Sequence, residues 1–203
     1  MNFNFNQIGA LGAQHLSNVL RDSKIVTELH FRSNRIGASG TQYLVDALHN
    51  STTLVELILS DNQIEALGAE CIASLLLTSK TLHTRNIRSN QIGTSGARYL
   101  VNALQTNANT KLTILDLDSN EIGVEGAKYL ADLLSNNKTL TTLNVFKNQI
   151  GVSGANHLAI ALENNTTLTT LELEENQIET LGAQHFANAL RKNTVVFICF
   201  SFF

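Results

Sequence analysis

Histidines recur in this sequence at a spacing that could support metal binding. His157 and His185 occupy one equivalent position in successive segments of the chain. A Zn²⁺ site needs three or four protein ligands, whereas helix axes lie about 8–10 Å apart. No third ligand accompanies this pair, so we interpret the residues at the position as partly buried packing residues and predict no metal site. The series is His15, Tyr43, Cys71, Tyr99, Tyr129, His157 and His185.

Glycine pairs in the pattern Gly-x-x-Gly could form a phosphate-binding loop, as Gly151 and Gly154 illustrate. A nucleotide loop would continue into Lys-Ser or Lys-Thr, which is absent, and the pair recurs along the chain. We therefore assign the glycines to tight turns and close backbone approach. No nucleophile elbow or paired-carboxylate motif stands apart from the repeat. The sequence predicts a protein that is not an enzyme and needs no cofactor.

Composition narrows the class of partner. The 203 residues are 43% hydrophobic and 15% charged, with a net charge of −3 and a pI near 6.0. This balance gives no case for binding nucleic acid. The N-terminal residues lack a basic segment followed by an apolar one, and the only cysteines are Cys71 and Cys199. We expect a cytoplasmic protein without a membrane span, because the apolar run 195–200 is shorter than the ~20 residues required.

The elements that must position these residues follow from an internal repeat. An Asn-x-Ile triplet recurs every 28 residues, with one interval of 30 residues that contains two extra residues within 105–111. The asparagines are Asn6, Asn34, Asn62, Asn90, Asn120, Asn148 and Asn176. Six nearly equal intervals indicate stacked copies of one structural unit.

Each unit combines two hydrophobic periods. Leu57 and Leu59 alternate with outward-facing neighbours, which predicts a strand covered on one face. After the triplet, Ala155, Leu158 and Leu162 lie on one face of a helix. The asparagine that closes each strand is expected to bond turn backbone groups, each of which would cost about 1–3 kcal/mol if buried unpaired.

These motifs resemble the leucine-rich-repeat family over essentially the whole chain. The Asn-x-Ile-Gly-x-x-Gly-Ala pattern is similar to the ribonuclease-inhibitor-like subclass, which includes repeat regions of NOD-like receptors and Ran GTPase-activating proteins. The resemblance implies an α/β class fold, a right-handed α/β solenoid or horseshoe with a parallel sheet on the concave face and helices on the convex face. We expect a single domain, 1–203, with a partial first repeat 1–25, repeats 26–53, 54–81, 82–111, 112–139, 140–167 and 168–195, and a partial last strand 196–203.

Two regions depart from the pattern. Strand positions are counted from the first residue of each repeat, so that Arg85 is at the fourth position, where other repeats have leucine. We expect a local strand distortion that lets the Arg85 guanidinium reach solvent or backbone carbonyls. At the C-terminus, the fixed spacing would turn Val196, Cys199 and Ser201 inward. A turn shorter by one residue would instead turn Val195, Ile198 and Phe200 inward, the better apolar match.

Either register of the last strand leaves aromatic residues such as Phe197 and Phe202 poorly covered. This uncovered end is explained either by truncation of the repeat array or by contact with a partner or a second copy of the chain. Self-association through the C-terminal apolar strand is therefore one alternative.

A partner would bind the concave face, where the fifth and seventh strand positions are predicted to point outward. Arginines lead and carboxylates follow along the stack, which suggests a bipolar groove, although unselected polar variation is an alternative. Phe146 is the candidate aromatic anchor. The predicted partner-binding residues are His30, Arg32, Ile58, Asn86, Arg88, Asp116, Asp118, Asn144, Phe146, Glu172 and Glu174, with Ser60 and Glu175 beside them.

Two functions follow from the resemblance. The first is a protein-protein interaction scaffold that binds a partner of unknown identity, as in the sensing or regulatory repeats of a NOD-like-receptor-type protein. The alternative is activation of a Ran-like small GTPase, for which Arg35 is the candidate because other repeats have Gln or Glu after the asparagine. The acidic C-terminal tail typical of those activators is absent from the sequence.

Overall fold

A computed structural model shows strands alternating with helices along the chain and describes residues 1–107 and 111–199. The helices in this part of the chain are α1 (Gly9–Leu20), α2 (Gly37–Leu48), α3 (Glu65–Thr78), α4 (Gly93–Thr106), α5 (Gly123–Asn136), α6 (Gly151–Leu162) and α7 (Glu179–Leu190). The strands are β1 (Glu28–His30), β2 (Glu56–Ile58), β3 (Thr84–Asn86), β4 (Ile114–Asp116), β5 (Thr142–Asn144), β6 (Thr170–Glu172) and β7 (Phe197–Cys199).

The strands form one parallel sheet whose order, β1 to β7, follows the chain. Equivalent repeat positions pair directly, so that Leu57 lies beside Arg85 and Leu115 beside Leu143. Each helix packs on the next one along the chain. This confirms the predicted α/β solenoid with an open parallel sheet.

The apolar strand and helix positions meet in one continuous core. Leu57, Leu59 and Leu158 are fully or almost fully buried, as the two periods predict. Adjacent helices approach closely at the second glycine of each pair. A Cβ added to Gly154 would lie 2.5 Å from the Ile150 Cγ2 and 3.0 Å from the Ala127 Cβ of the preceding helix. This glycine therefore sets the distance between helices α5 and α6.

From Asn34 to Asn176 the asparagines form a buried ladder at the carboxyl ends of the strands. The Asn62 Oδ1 accepts hydrogen bonds from the backbone N–H groups of Asn34 at 3.0 Å and Ile36 at 3.2 Å. Its Nδ2 donates to the Phe31 carbonyl of the preceding repeat at 2.8 Å and to the Leu59 carbonyl at 2.9 Å. Equivalent bonds recur through Asn176, so the predicted column of asparagines is confirmed.

The turn between strand and helix requires left-handed backbone at three positions of every repeat. The last of these is the first helical residue, which is Gly151 with φ 63° in α6 and Gly93 with φ 60° in α4. Glu65 and Glu179 occupy the same position with φ 60° and φ 58°. A side chain in this conformation costs about 1–2 kcal/mol, so these two turns are strained relative to their glycine-containing equivalents.

Arg85 does not distort its strand. It occupies the central position of β3, in register with Leu57 and Leu115, and is 0% exposed. Its Nε, Nη1 and Nη2 atoms have no hydrogen-bond partner in the described part of the chain. The expectation of a distorted strand with a solvent- or carbonyl-bonded head is therefore wrong, because regular pairing on both sides holds the backbone straight. Burial lowers the pKa of the guanidinium from its ordinary value to about 9.

The last strand combines the two expected registers. Val196 is buried in the first strand position, where the Asn193 Oδ1 accepts its backbone N–H at 3.1 Å. Ile198 then pairs with Leu171, whereas the fixed spacing of 28 residues would pair Cys199 with Leu171. Phe197 is 68% exposed, as expected. Val195 is also exposed, which contradicts its inward placement, and residues 200–203 lie outside the described ranges.

Two further positions show how the first, partial repeat packs. Phe3 stacks on Phe31, the equivalent residue of the next repeat, with ring centroids 5.1 Å apart. The equivalent helix residues that include His157 and His185 are partly buried in every repeat except the first, as predicted for packing residues. His15 is exposed on α1, which packs on α2 alone among the described helices.

Candidate functional site

The concave face is lined by the side chains at the third and fifth positions of each repeat and by the segments that follow the strands. His30, Ile58, Asn86, Asp116, Asn144 and Glu172 all occupy the fifth position, pair in register and are partly exposed. These predicted residues therefore form a continuous row across β1 to β6. Regular pairing places neighbours in the row about 5 Å apart.

The side chains at the seventh position of each repeat differ in solvent exposure, whereas the alternating pattern predicts that all of them point outward. Arg32 and Arg88 are exposed, and Phe146 and Glu174 are partly exposed. Asp118 is only 3% exposed, and Ser60 is equally buried. The Asp118 carboxylate accepts a 2.5 Å hydrogen bond from the Ser119 hydroxyl. The expectation that Asp118 and Ser60 face solvent is therefore wrong, since both are buried and the Asp118 carboxylate is held between Ser119 and Arg88.

The two concave arginines are neutralised by carboxylates of the following repeat. The Arg88 Nη1 lies 3.0 Å from the Asp118 Oδ2, and the Arg32 Nε lies 2.9 Å from the Asp61 Oδ2. The Arg32 guanidinium also stacks over Phe5, 5.5 Å from the ring centroid. The predicted basic half of the groove is therefore not basic in the folded chain. Pairing between repeats could have been anticipated by comparing equivalent positions in neighbouring units.

On the concave side of β4 to β6, three carboxylates form no ion pair with a cationic side chain of residues 1–107 and 111–199. We call Asp116, Glu172 and Glu174 the acidic patch. The Asp116 Oδ2 accepts a 2.7 Å hydrogen bond from the Asn86 Nδ2. Burial is the main cause that raises the pKa of the Asp116 carboxyl from 3.8 to about 6. The charges of Asp118 and Glu172 act in the same direction, whereas the Asp118 N–H and the Arg88 charge oppose the rise. The patch therefore holds mutually repelling negative charge that an external cation would relieve.

Phe146 lies in the middle of this negative surface. It follows β5, between β4 with Asp116 and β6 with Glu172. Its backbone N–H donates to the Asn144 Oδ1 at 2.9 Å, and its carbonyl accepts from the Ser119 N–H at 2.9 Å. These bonds fix the backbone while the ring remains partly exposed. A fixed aromatic side chain beside unpaired carboxylates is suited to contact with a partner.

The residue after each ladder asparagine shares one backbone conformation throughout the array. Arg35 has φ 56° and is exposed, and Gln63 and Gln91 also have φ 56°. The geometry therefore does not distinguish Arg35 from its equivalents. The adjacent glycines also lack a free anion-binding N–H, because that of Gly151 donates to the Asn176 carbonyl at 2.8 Å.

The fold and site together define a repeat solenoid with an accessible polar inner face. The pattern described as Leucine Rich repeat matches residues 23–45, 50–73, 78–101, 108–131, 136–159 and 164–187. The chain therefore belongs to the leucine-rich-repeat family. A search of curated proteins found no match.

Two solved structures have a similar fold. The first is the tropomodulin C-terminal domain of Caenorhabditis elegans, with a TM-score of 0.54 and 16% identity over 90% of this chain and 93% of that one. The second is the leiomodin-1 Actin-Binding Site 2, with a TM-score of 0.50 and 19% identity over 90% of this chain and 87% of that one. At these identities the similarity concerns the fold. No helix within the described residues is long and apolar enough to cross a membrane.

Proposed function

We propose that this chain is a protein-binding scaffold whose concave face receives a basic segment of a partner protein. The observation that carries the proposal is the acidic patch beside Phe146, in which three carboxylates lack a cationic partner within the described ranges. Lysine or arginine side chains of a partner would neutralise these carboxylates. A basic side chain could also stack on the Phe146 ring, a contact that contributes about 0.5–2 kcal/mol.

The burial of Asp116 strengthens this electrostatic argument. Its raised pKa reflects an ionised form that is already costly in the free protein. A bound cation would lower that cost, so part of the binding free energy would come from relief of repulsion within the patch. Leiomodin-1, through its Actin-Binding Site 2, provides a precedent for protein binding by a similar fold.

The test uses the full chain and a fluorescently labelled peptide that alternates arginine with small polar residues. We expect binding that weakens as salt rises, because surface charges are screened over about 10 Å at 0.1 M salt. The double variant Glu172→Gln/Glu174→Gln should bind the peptide about tenfold more weakly, equivalent to roughly 1.4 kcal/mol. Phe146→Ala should weaken binding about fivefold or more, as expected for an aromatic anchor.

The control is a double variant with the same change in net charge on the convex face. Glu70 and Glu125 are exposed helix residues away from the groove. Glu70→Gln/Glu125→Gln should leave peptide affinity within about twofold of the parent chain. If the two double variants lose affinity equally, binding depends only on overall charge and the concave-face proposal is wrong.

A further inference from the structure

A cluster of metal-ligating side chains lies on the concave face, two strands before the acidic patch begins. Glu28 and His30 lie two residues apart on β1 and so point to the same face of the sheet, and Glu56 pairs with Glu28 from β2. One ligand atom from each residue lies within 4.8 Å of the other two. The sequence predicted no metal site, and this cluster lies outside the helix series of His157 and His185, because it combines the third and fifth positions of two repeats.

The imidazole of His30 is poorly satisfied in its surroundings. Its Nε2 atom is inaccessible to solvent and has no hydrogen-bond partner among the residues that the structure describes. The nearest carboxylate oxygen, Glu56 Oε1, lies 3.8 Å away, too far for a hydrogen bond. A buried ring nitrogen without a partner costs free energy, and a cation between it and the carboxylate would satisfy both groups.

The cross-strand pair adds a second argument for a cation. Glu28 and Glu56 are directly opposite one another on adjacent strands, and like charges in this position destabilise a sheet. The equivalent pairs on the following strands are uncharged at one or both members, as in Thr84 beside Ile114. Among the third-position pairs of the described strands, carboxylate repulsion therefore falls at the pair beside a histidine.

We propose that Glu28, His30 and Glu56 bind one Zn²⁺ ion. Zinc accepts imidazole and carboxylate ligands at about 2.0–2.2 Å, which places tetrahedral ligand atoms roughly 3.4 Å apart. The 3.8 Å between the His30 and Glu56 atoms needs only a small side-chain adjustment to reach this separation. Calcium and magnesium prefer oxygen-only ligands, so the imidazole favours zinc. Three protein ligands leave a fourth position for water or a ligand from the groove side.

The experiment titrates ZnCl₂ into the purified full chain by isothermal titration calorimetry after removal of metal with a chelator. Substitution by Co²⁺ then reports the ligand environment through its visible absorption. We expect one ion per chain, with at least tenfold weaker binding in both His30→Gln and Glu56→Gln. Circular dichroism verifies that each variant retains the fold.

The control is the double variant His157→Gln/His185→Gln, which removes the stacked helix histidines and leaves the cluster intact. It should bind zinc with the parent affinity and stoichiometry. Binding that is lost in this control but retained in His30→Gln would overturn the proposal, as would the absence of saturable binding in the parent chain. Peptide binding by the acidic patch is measured separately, so failure of either proposal leaves the other standing.

Discussion

The substitution Arg85→Leu should stabilise this protein considerably. The guanidinium is 0% exposed, and its three nitrogen atoms have no hydrogen-bond partner among the described residues. Leu57 and Leu115 flank it in the sheet, and both are almost fully buried. Leucine would therefore restore the side chain that neighbouring repeats use at this position.

The magnitude follows from the cost of burying the charge. Burial lowers the pKa of Arg85 from its ordinary value to about 9, a difference worth roughly 5 kcal/mol. Neutral pH lies below both values, so the folded and unfolded chains are protonated and the whole cost is present. Relaxation reduces such costs, and apolar replacement of buried ionic groups gains about 1–4 kcal/mol. We expect a gain of about 2–4 kcal/mol.

A chain of this length shifts its melting temperature by about 2–4 °C per kcal/mol, so Arg85→Leu should melt about 5–15 °C higher. Circular dichroism during heating, together with urea denaturation, measures both quantities. Arg98→Leu is the control, because Arg98 is exposed on α4 in the same repeat and its loss should change stability by about 0.5 kcal/mol at most. A lower melting temperature for Arg85→Leu would refute the reasoning and reveal a satisfied internal role for the arginine.

Three further substitutions test the fold and the site. Gly154→Ala should reduce the free energy of unfolding by about 1–3 kcal/mol in urea denaturation, because the new Cβ would lie 2.5 Å from the Ile150 Cγ2. The control Ser153→Ala, on the exposed face of the same helix, should be nearly neutral. Glu65→Gly should be about 1 kcal/mol more stable than Glu65→Ala, since both remove the charge but only glycine relieves the left-handed strain; equal stabilities would contradict this account. The folded-state pKa of Asp116 is raised from 3.8 to about 6, so the native chain binds more protons than the unfolded chain between these values and loses stability as pH rises through them. Asp116→Asn should remove about 1–3 kcal/mol of this dependence, measured by urea denaturation from pH 4 to 7, and an unchanged profile would exclude Asp116 as its source.

The repeat made most of the architecture predictable from sequence. The asparagine spacing and the alternation of Leu57 and Leu59 predicted the strands, the helices and the ladder, because these elements depend on contacts that recur in every unit. Arg85 was mispredicted because the cost of an unpaired charge was expected to deform the backbone. Parallel pairing on both sides of β3 outweighs that cost locally.

The concave face was predictable in position but not in charge. Phe146 and Glu172 lie where the strand pattern placed them. Arg88 pairs with Asp118 of the next repeat, and the hydrophobic pattern within a single strand carries no information about such a contact. The cluster around His30 was missed for a similar reason, since two of its three members occupy strand positions that were not compared across repeats.

The ladder has a consequence for how this array tolerates changes in length. The repeat between Asn90 and Asn120 is two residues longer than the others, yet the Asn120 Oδ1 accepts the Asn90 N–H at 3.0 Å, the same distance as between Asn34 and Asn62. A longer segment between the helix and the next strand therefore leaves the hydrogen-bond step between asparagines unaltered. Peptide tags or binding loops inserted after other helices should be accommodated in the same way. A single residue added between a strand and its asparagine would instead shift that asparagine out of register and break its hydrogen bonds to the neighbouring repeat.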